Sequence, residues 1–385
     1  MNYTSIMQTK TNKRPLPKGW KWSKLSEVCN IIMGQSPPGN TYRKTPDGLP
    51  FFQGKADFGL RHPIARVWCI EPTRIAEQGD ILLSVRAPVG PTNVADIECC
   101  IGRGLAAIQP KEQADKEFIL LALKYREDIL AGLGSGSTFE AIRKEDLFNL
   151  EIPIPPLDEQ RRIASWLNEK LAAVESARKA AEEQLQLTSN LIKSYLIESL
   201  SGSLHRLQLK DGFIEVKQGI GKTWYQYPVL GTTRNGVAPA KEKVGKQPER
   251  YKLVGPGTIF YNPMRINIGS IGMLDEGDAP GITSPDYVVM NAVKDVIHSR
   301  WFYYWLRSPY GEEFIKTYAR GAVRERMMFT RLAPAYLEVP TYEVQSEVAE
   351  KLFYMKQLRA KIESQLAEIN RLPASLLREA FVGEI

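Results

Sequence analysis

The sequence predicts an α+β protein built as a tandem repeat of globular unit, long helix, globular unit and long helix, the two helices packing antiparallel so that the halves are related by an approximate two-fold axis. Three observations predict it. The 385-residue chain resembles itself at a period of about 180 residues, and self-similarity at a fixed period decides an architecture before single motifs are weighed. Two segments carry long apolar stripes at alternating spacings of four and three. The composition, 43% hydrophobic and 25% charged, is that of folded globular proteins, and the length exceeds one ordinary core of ~150 residues.

In chain order, Gly79-Asp80-Ile81-Leu82-Leu83-Ser84 with Arg86 and Gly90 reads as a glycine-led strand entering a loop, and it is matched by Gly257-Thr258-Ile259-Phe260-Tyr261-Asn262 with Arg265 and Gly269. Phe118-Ile119-Leu120-Leu121-Ala122-Leu123 is matched by Trp301-Phe302-Tyr303-Tyr304-Trp305-Leu306, each followed by a glycine-containing stretch. Leu150-Glu151-Ile152-Pro153-Ile154-Pro155-Pro156-Leu157-Asp158-Glu159-Gln160 is matched by Leu337-Glu338-Val339-Pro340-Thr341-Tyr342-Glu343-Val344-Gln345. Both are short extended segments ending in proline, followed by acids suited to the positive end of a helix.

The helices close on Gly202 and Gly383, the residue type that favours a C-terminal cap. The repeat offset is 185 at Pro155 and Pro340 but 181 at Gly202 and Gly383, so the first helix carries four extra residues, nearly one turn. Its stripe is Ile163, Leu167, Leu171, Val174, Arg178, Ala181, Leu185, Thr188, Ile192 and Tyr195. The second stripe is Val348, Leu352, Met355, Arg359, Ile362, Leu366 and Ile369, with Pro373 expected to kink or restart the helix before Leu376. Arg178 and Arg359 occupy equivalent seam positions, where they either fix register or contact a partner, or simply snorkel from the seam edge. A stripe of roughly 40 residues, ~60 Å at 1.5 Å per residue, is too long to bury against one compact domain and calls for another long helix.

The charge balance is 51 basic to 44 acidic residues, a net +7, which favours a polyanionic partner. From His205 to Ala335 the count is 19 basic against 12 acidic, a local +7. Cys29, Cys69, Cys99 and Cys100 lack metal-ligand spacing and read as buried thiols, while His62, His205 and His298 each stand alone. No apolar run approaches the ~18 residues of a membrane span and the start lacks a signal-peptide pattern, so no membrane partner and a cytoplasmic location are expected.

Motifs of catalysis are incomplete. Gly219-Ile220-Gly221-Lys222-Thr223 has the end of a phosphate loop, but Val216 stands where the loop needs glycine. Asn262-Pro263-Met264-Arg265 begins like an amino-methyltransferase motif yet lacks its second proline and aromatic residue. Asp211 and Glu215 share one short segment rather than converging from separate elements as metal-dependent nuclease acids do. Catalytic, cofactor-binding and metal-binding residues are therefore assigned to none of this chain.

What both units do carry is basic, polar, glycine-rich loops. The first offers Gln35, Ser36, Asn40, Arg43, Lys44, Arg86, Thr138 and Arg143. The second offers Arg234, Asn235, Lys241, Lys243, Lys246, Arg265, Asn267, Arg320, Arg324 and Arg326. Arg and Lys pair with guanine, Asn and Gln with adenine, and Ser or Thr with phosphate oxygens, so duplex DNA is the partner these loops suit. Two heads held apart by paired helices would read two half-sites a fixed number of base pairs apart.

On these residues the chain resembles the specificity (S) subunit of type I restriction-modification enzymes along essentially its whole length. The marks are Leu16-Pro17-Lys18-Gly19-Trp20-Lys21-Trp22-Ser23-Lys24-Leu25, the Gly34-Gln35-Ser36-Pro37 loop, the Ile152 to Gln160 helix opening and the Phe381-Val382-Gly383-Glu384-Ile385 ending. The resemblance implies target recognition domains at 1–152 and 203–338, with spacer helices at 153–202 and 339–385. It also implies a non-catalytic chain that aims two modification subunits, which bring S-adenosylmethionine and methylate adenine, and restriction subunits, which bring ATP and Mg. The recognition subunit of a fused type IIB enzyme is the variant reading, and a self-sufficient DNA methyltransferase or nuclease is the reading from another class.

Overall fold

The computed structural model describes residues 16–134, 141–241, 244–319 and 326–383. The contacts divide the chain into two compact units, one formed by the residues up to Lys179 with those from Ala367 onward, the other by Ala180–Leu366.

In the first unit, β1 (Lys21–Lys24) pairs antiparallel with β6 (Glu151–Ile154), which leads into the long helix. Between them lies a four-stranded antiparallel sheet ordered β2 (Cys29–Met33), β5 (Leu105–Pro110), β3 (Ile81–Ser84), β4 (Thr92–Val94). β3 is buried at every position, as its unbroken apolar run requires for a strand covered on both faces. Helix α1 (Lys116–Tyr125) packs beside it, and its N-cap Asp115 accepts a hydrogen bond from Phe118 N–H at 3.0 Å. A five-stranded sheet of short strands completes the unit, with Leu49–Phe52 running parallel to Cys99–Ile101.

The second unit repeats this frame. β7 (Leu204–Gln208) pairs antiparallel with β12 (Tyr336–Pro340), and the sheet order is β8 (Phe213–Glu215), β11 (Val288–Ala292), β9 (Thr258–Tyr261), β10 (Ile271–Met273). Helix α3 (Ser299–Leu306) stands where α1 stands, capped by His298 Nδ1 instead of an aspartate. Among the described residues the five-stranded sheet has no copy in this unit. In its place are a hairpin of Leu230–Thr233 and Gly236–Pro239 and a pair of Lys252–Val254 with Gly281–Thr283.

Helix α2 spans Leu157–Ser199 and begins after the strand, because 151–154 is held in the ladder with β1. Helix α4 spans Tyr342–Ile369, and α5 (Leu372–Val382) restarts with Pro373 in its first turn, where a missing N–H costs nothing. Gly383 caps α5 with φ 80°. Gly202 does not perform the same role: α2 ends three residues before it, and Gly202 is absent from the positive-φ conformers.

Both stripes face inward, but they do not pack only on another long helix. Ile163 and Leu167 are wholly buried in the first unit's core with Ile81, Phe118, Ile152 and Phe381. Leu196, Val348 and Leu352 belong to the second unit's core with Ile259, Trp301 and Val339. Each lobe therefore absorbs the end of the helix joined to it. Within the second unit α2 and α4 run antiparallel: Arg359 Nη1 donates to Ser189 Oγ at 3.0 Å, and Lys351 Nζ sits 5.4 Å from the Tyr195 ring centroid. Of the stripe residues, Ile362 is also buried, and Leu171, Val174, Leu185, Ile192, Met355, Leu366 and Ile369 are half-buried. Arg178 pairs with Glu175 at 2.8 Å and Arg359 with Glu363 at 2.9 Å.

Candidate nucleic-acid interface

The loop of the first lobe that carries Gln35 and Ser36 is held by backbone. Gly34 N–H donates to Leu105 C=O at 2.9 Å and Gln35 N–H to Ile101 C=O at 3.0 Å, while Thr73 Oγ1 donates to the Gln35 carbonyl at 2.6 Å. That leaves the Gln35 side chain exposed on a fixed backbone. Ser36 Oγ accepts from Arg103 N–H at 3.3 Å.

Arg86 follows β3 in a loop tied by Ser84 Oγ, which donates to the carbonyls of Arg86 and Pro88 at 3.0 and 2.9 Å. The returning segment bridges Arg86 to Ala141, and Ile142 N–H donates to Val85 C=O at 2.9 Å, which brings Arg143 beside Arg86. Ser36 and Arg86 line one groove of about 810 Å³ together with Gln53, Lys55 and Arg103. Asn40, Arg43 and Lys44 lie apart from it on the turn into Tyr42–Arg43, where Arg43 Nη1 donates to the Asn40 carbonyl at 2.9 Å.

Gln53, Lys55 and Arg103 escape a reading of the sequence. Arg103 is displayed by packing: a Cβ on Gly104 would stand 2.1 Å from the Gln53 carbonyl oxygen, so the Gly102-Arg103-Gly104 turn must press onto the neighbouring strand and push its arginine outward. The Gly-Arg-Gly pattern between two apolar runs was the available signal.

The second lobe builds an equivalent clamp. Arg265 and Asn267 follow β9, and Met327 N–H donates to Pro263 C=O at 2.9 Å, placing Arg326 beside that loop as Arg143 lies beside Arg86. The 230–239 hairpin joins it through Thr232 Oγ1, which is 2.9 Å from Ser270 Oγ. Arg307 braces the tip, its Nη2 donating to the Arg234 carbonyl at 2.5 Å and its Nη1 to the Ile271 carbonyl at 2.9 Å. Arg234, Asn235, Arg265, Asn267 and Arg326 are exposed around this cluster, whereas Lys241 and Lys246 are exposed further along the chain. Thr138, Lys243, Arg320 and Arg324 lie outside the described residues.

Among the described residues no group of three or more His, Cys, Asp or Glu side chains is placed to hold a metal ion. Gly221–Gln226 forms a 3-10 turn rather than a phosphate-cradling loop before a helix, and Glu215 pairs with Lys217 at 3.5 Å. All four cysteines are buried, and burial pushes the Cys29 and Cys99 thiols up to about 12, far from the thiolate form needed for nucleophilic chemistry.

Residues 17–184 match the family described as type I restriction modification DNA specificity domain. A Methanocaldococcus jannaschii chain whose name assigns it as the MjaX type I restriction enzyme specificity subunit is 41% identical over 185 residues; the match covers 47% of this chain and 43% of that one, so it spans less than half the relative's length. The EcoKI type I restriction enzyme specificity subunit of Escherichia coli strain K12 is 22% identical over 427 aligned residues, 96% of this chain and 90% of that one. The crystal structure of the type I restriction-modification system S subunit from M. genitalium covers 97% of this chain and 98% of its own with a TM-score of 0.57 at 16% identity, a shared fold. Residues 17–184 thus match a type I restriction modification DNA specificity domain, and the chain is similar along its length to type I specificity subunits and shares its fold with an S subunit.

Proposed function

We propose that this chain is the DNA-reading subunit of a type I restriction-modification assembly, each lobe recognising one part of a split duplex sequence. The observation that carries the reading is the repeated clamp. In both lobes the loop after the third sheet strand is pinned by a returning segment, Val85 to Ile142 and Pro263 to Met327, and arginines flank the pin on each side. Exposed guanidinium groups on a rigid loop suit bidentate contacts to guanine or phosphate, since little ordering entropy is lost on binding.

Catalysis falls to partners in this reading. Two modification subunits supply S-adenosylmethionine chemistry at adenine, and restriction subunits supply ATP- and Mg-dependent cleavage. In the second unit Leu187 and Leu191 on α2, and Tyr354 and Leu358 on α4, are exposed apolar pairs one turn apart, surfaces suited to a modification subunit. Each relative reported above carries a type I name, so the fused type IIB variant is not favoured. No helix among the described residues is long and apolar enough to cross a membrane, which accords with work on DNA in the cytoplasm.

The test is to map methylated adenines in cells supplied with this chain and its modification subunits. Substituting Arg86→Ala with Arg103→Ala changes or weakens one half of the methylated sequence, and Arg265→Ala with Arg326→Ala the other, with ~1–3 kcal/mol of discrimination lost for each bidentate pair. Methylation without sequence preference, or both halves changing with either pair, contradicts the reading.

A further inference from the structure

Two buried amides stand at corresponding points of the repeat. Gln160 and Gln345, 1% and 0% exposed, each occupy the first turn of the long helix that leaves a lobe. Gln160 Oε1 accepts from Asp115 N–H at 2.8 Å, and Gln345 Oε1 accepts from His298 N–H at 2.8 Å. Asp115 and His298 are the N-cap residues of α1 and α3, the lobe helices. The other end of each amide grips the strand before the long helix: Gln160 Nε2 donates to Pro155 C=O and Gln345 Nε2 to Pro340 C=O, both at 2.9 Å. Gln160 Nε2 also donates to Gln113 C=O at 3.1 Å. Only an uncharged amide both donates and accepts here, which explains why glutamine recurs while its neighbours Glu159 and Val344 differ.

We propose, resting on the DNA-reading function above, that Gln160 and Gln345 are positioning residues that fix the attitude of each lobe on its own helix and thereby hold the gap between the two halves of the recognised sequence to one length. The lever is long. A tilt of about 10° at the base of a ~30 Å arm, twenty residues at 1.5 Å each, moves the far end ~5 Å, more than the ~3.4 Å step of one base pair.

The two joints differ in their reserves. In the second lobe Arg300 Nη1 also donates to Ala349 C=O of α4 at 3.2 Å, its guanidinium pairs with Asp275, and Lys356 of α4 lies 3.2 Å from Asp278. At the repeat offset of 185 the first helix has Leu171 where α4 has Lys356, and, counted from the equivalent N-caps Asp115 and His298, α1 has Glu117 where α3 has Arg300 with that fork. Gln160 therefore holds its joint without such a bracket, and Gln345 shares the load.

The experiment maps methylated sequences for Gln160→Met, Gln160→Glu and Gln345→Met in the full chain with its modification subunits. With Q160M both half-sequences stay as in the parent chain, and sites whose gap is one base pair shorter or longer rise about tenfold above their parental level. Q160E keeps the acceptor for Asp115 N–H and broadens the gap less, and it supplies the readout if Q160M does not accumulate. Q345M, whose joint keeps the Arg300 and Lys356 contacts, broadens the gap less than Q160M. A single parental gap in every Gln160 variant that modifies DNA, at whatever overall rate, would show that the glutamine only stabilises and would overturn the proposal, as would broader gaps for Q345M than for Q160M. If the parent chain itself directs no two-part methylation, the DNA-reading function fails instead, so the two failures are distinct.

Discussion

The two lobes share a sheet order and a helix position yet are seated on their helices by different chemistry. The first seat is apolar and aromatic. Phe381 of α5 stands 5.1 Å from the rings of both Phe118 and Tyr125, among Leu167, Ile163 and the half-buried Trp166 and Leu171. The second seat contains a buried ion pair, Arg300 with Asp275, whose guanidinium also stacks 4.4 Å from the Phe353 ring centroid. Burial pushes the Asp275 carboxyl up, but the Arg300 hydrogen bonds and charge, with Lys356, outweigh it and hold it below the usual carboxylate range. The difference teaches that the repeat preserves backbone geometry while the means of fixing it diverge: an apolar seat is tolerant of direction, whereas a forked ion pair specifies one.

Breaking each seat separately sharpens the contrast. Arg300→Ala leaves a carboxylate that is 3% exposed with only the partly exposed Lys356 nearby, and a loss of ~3–5 kcal/mol is expected in the second unit. Phe381→Ala removes an aromatic side chain that is 2% exposed and should cost about 3–4 kcal/mol in the first unit. Hydrogen exchange resolved by segment checks both, with accelerated exchange confined to β8–β11 and α3 in one case and to β2–β5 and α1 in the other. Loss spread equally over both units in either variant would contradict separate seats.

Acid should separate the units further, by a smaller amount. Burial, then the nearby Arg300 charge, pushes the His298 imidazole below its ordinary value, so the fold favours the neutral ring that accepts from Arg300 N–H. The folded pKa is the lower one, so stability is lost as pH falls from about 6.5 through that lowered value, and Asp275 adds a further loss as pH falls from about 3.9 through its own. Unfolding followed from pH 7.5 to pH 5 should show the second unit weakening while the first, with Asp115 at the equivalent cap, changes less. His298→Asn, which retains a cap without a titrating ring, should flatten that slope; an unchanged slope would contradict the assignment.

Much of the frame was legible in the residues. The four-three stripe marks the inward faces of α2 and α4, Pro373 marks the restart of α5, and the Arg86 and Arg265 loops emerge as equivalents because each follows an unbroken apolar strand. The role of Gln160 and Gln345 was not, since their partners are different residue types 45 and 47 positions away and the bonds go to backbone atoms that sequence does not distinguish. Arg103 is not legible because its display depends on the Gly102-Arg103-Gly104 turn pressing against the Gln53 backbone, and Lys55 because only the fold brings it into the same groove. Gly202 was read as a cap by its type alone, but a helix that ends at Ser199, buried against Trp301 Nε1 at 3.0 Å, has already been terminated by packing.

The central claim, that helix length separates two independent DNA-reading heads, is tested most directly by inserting four helix-forming residues after Val174 and mapping the methylated sequence. One added turn keeps the buried face in phase, so the account predicts both half-sequences unchanged with a longer gap between them. The original gap in a chain that still directs methylation, or altered half-sequences, would contradict it.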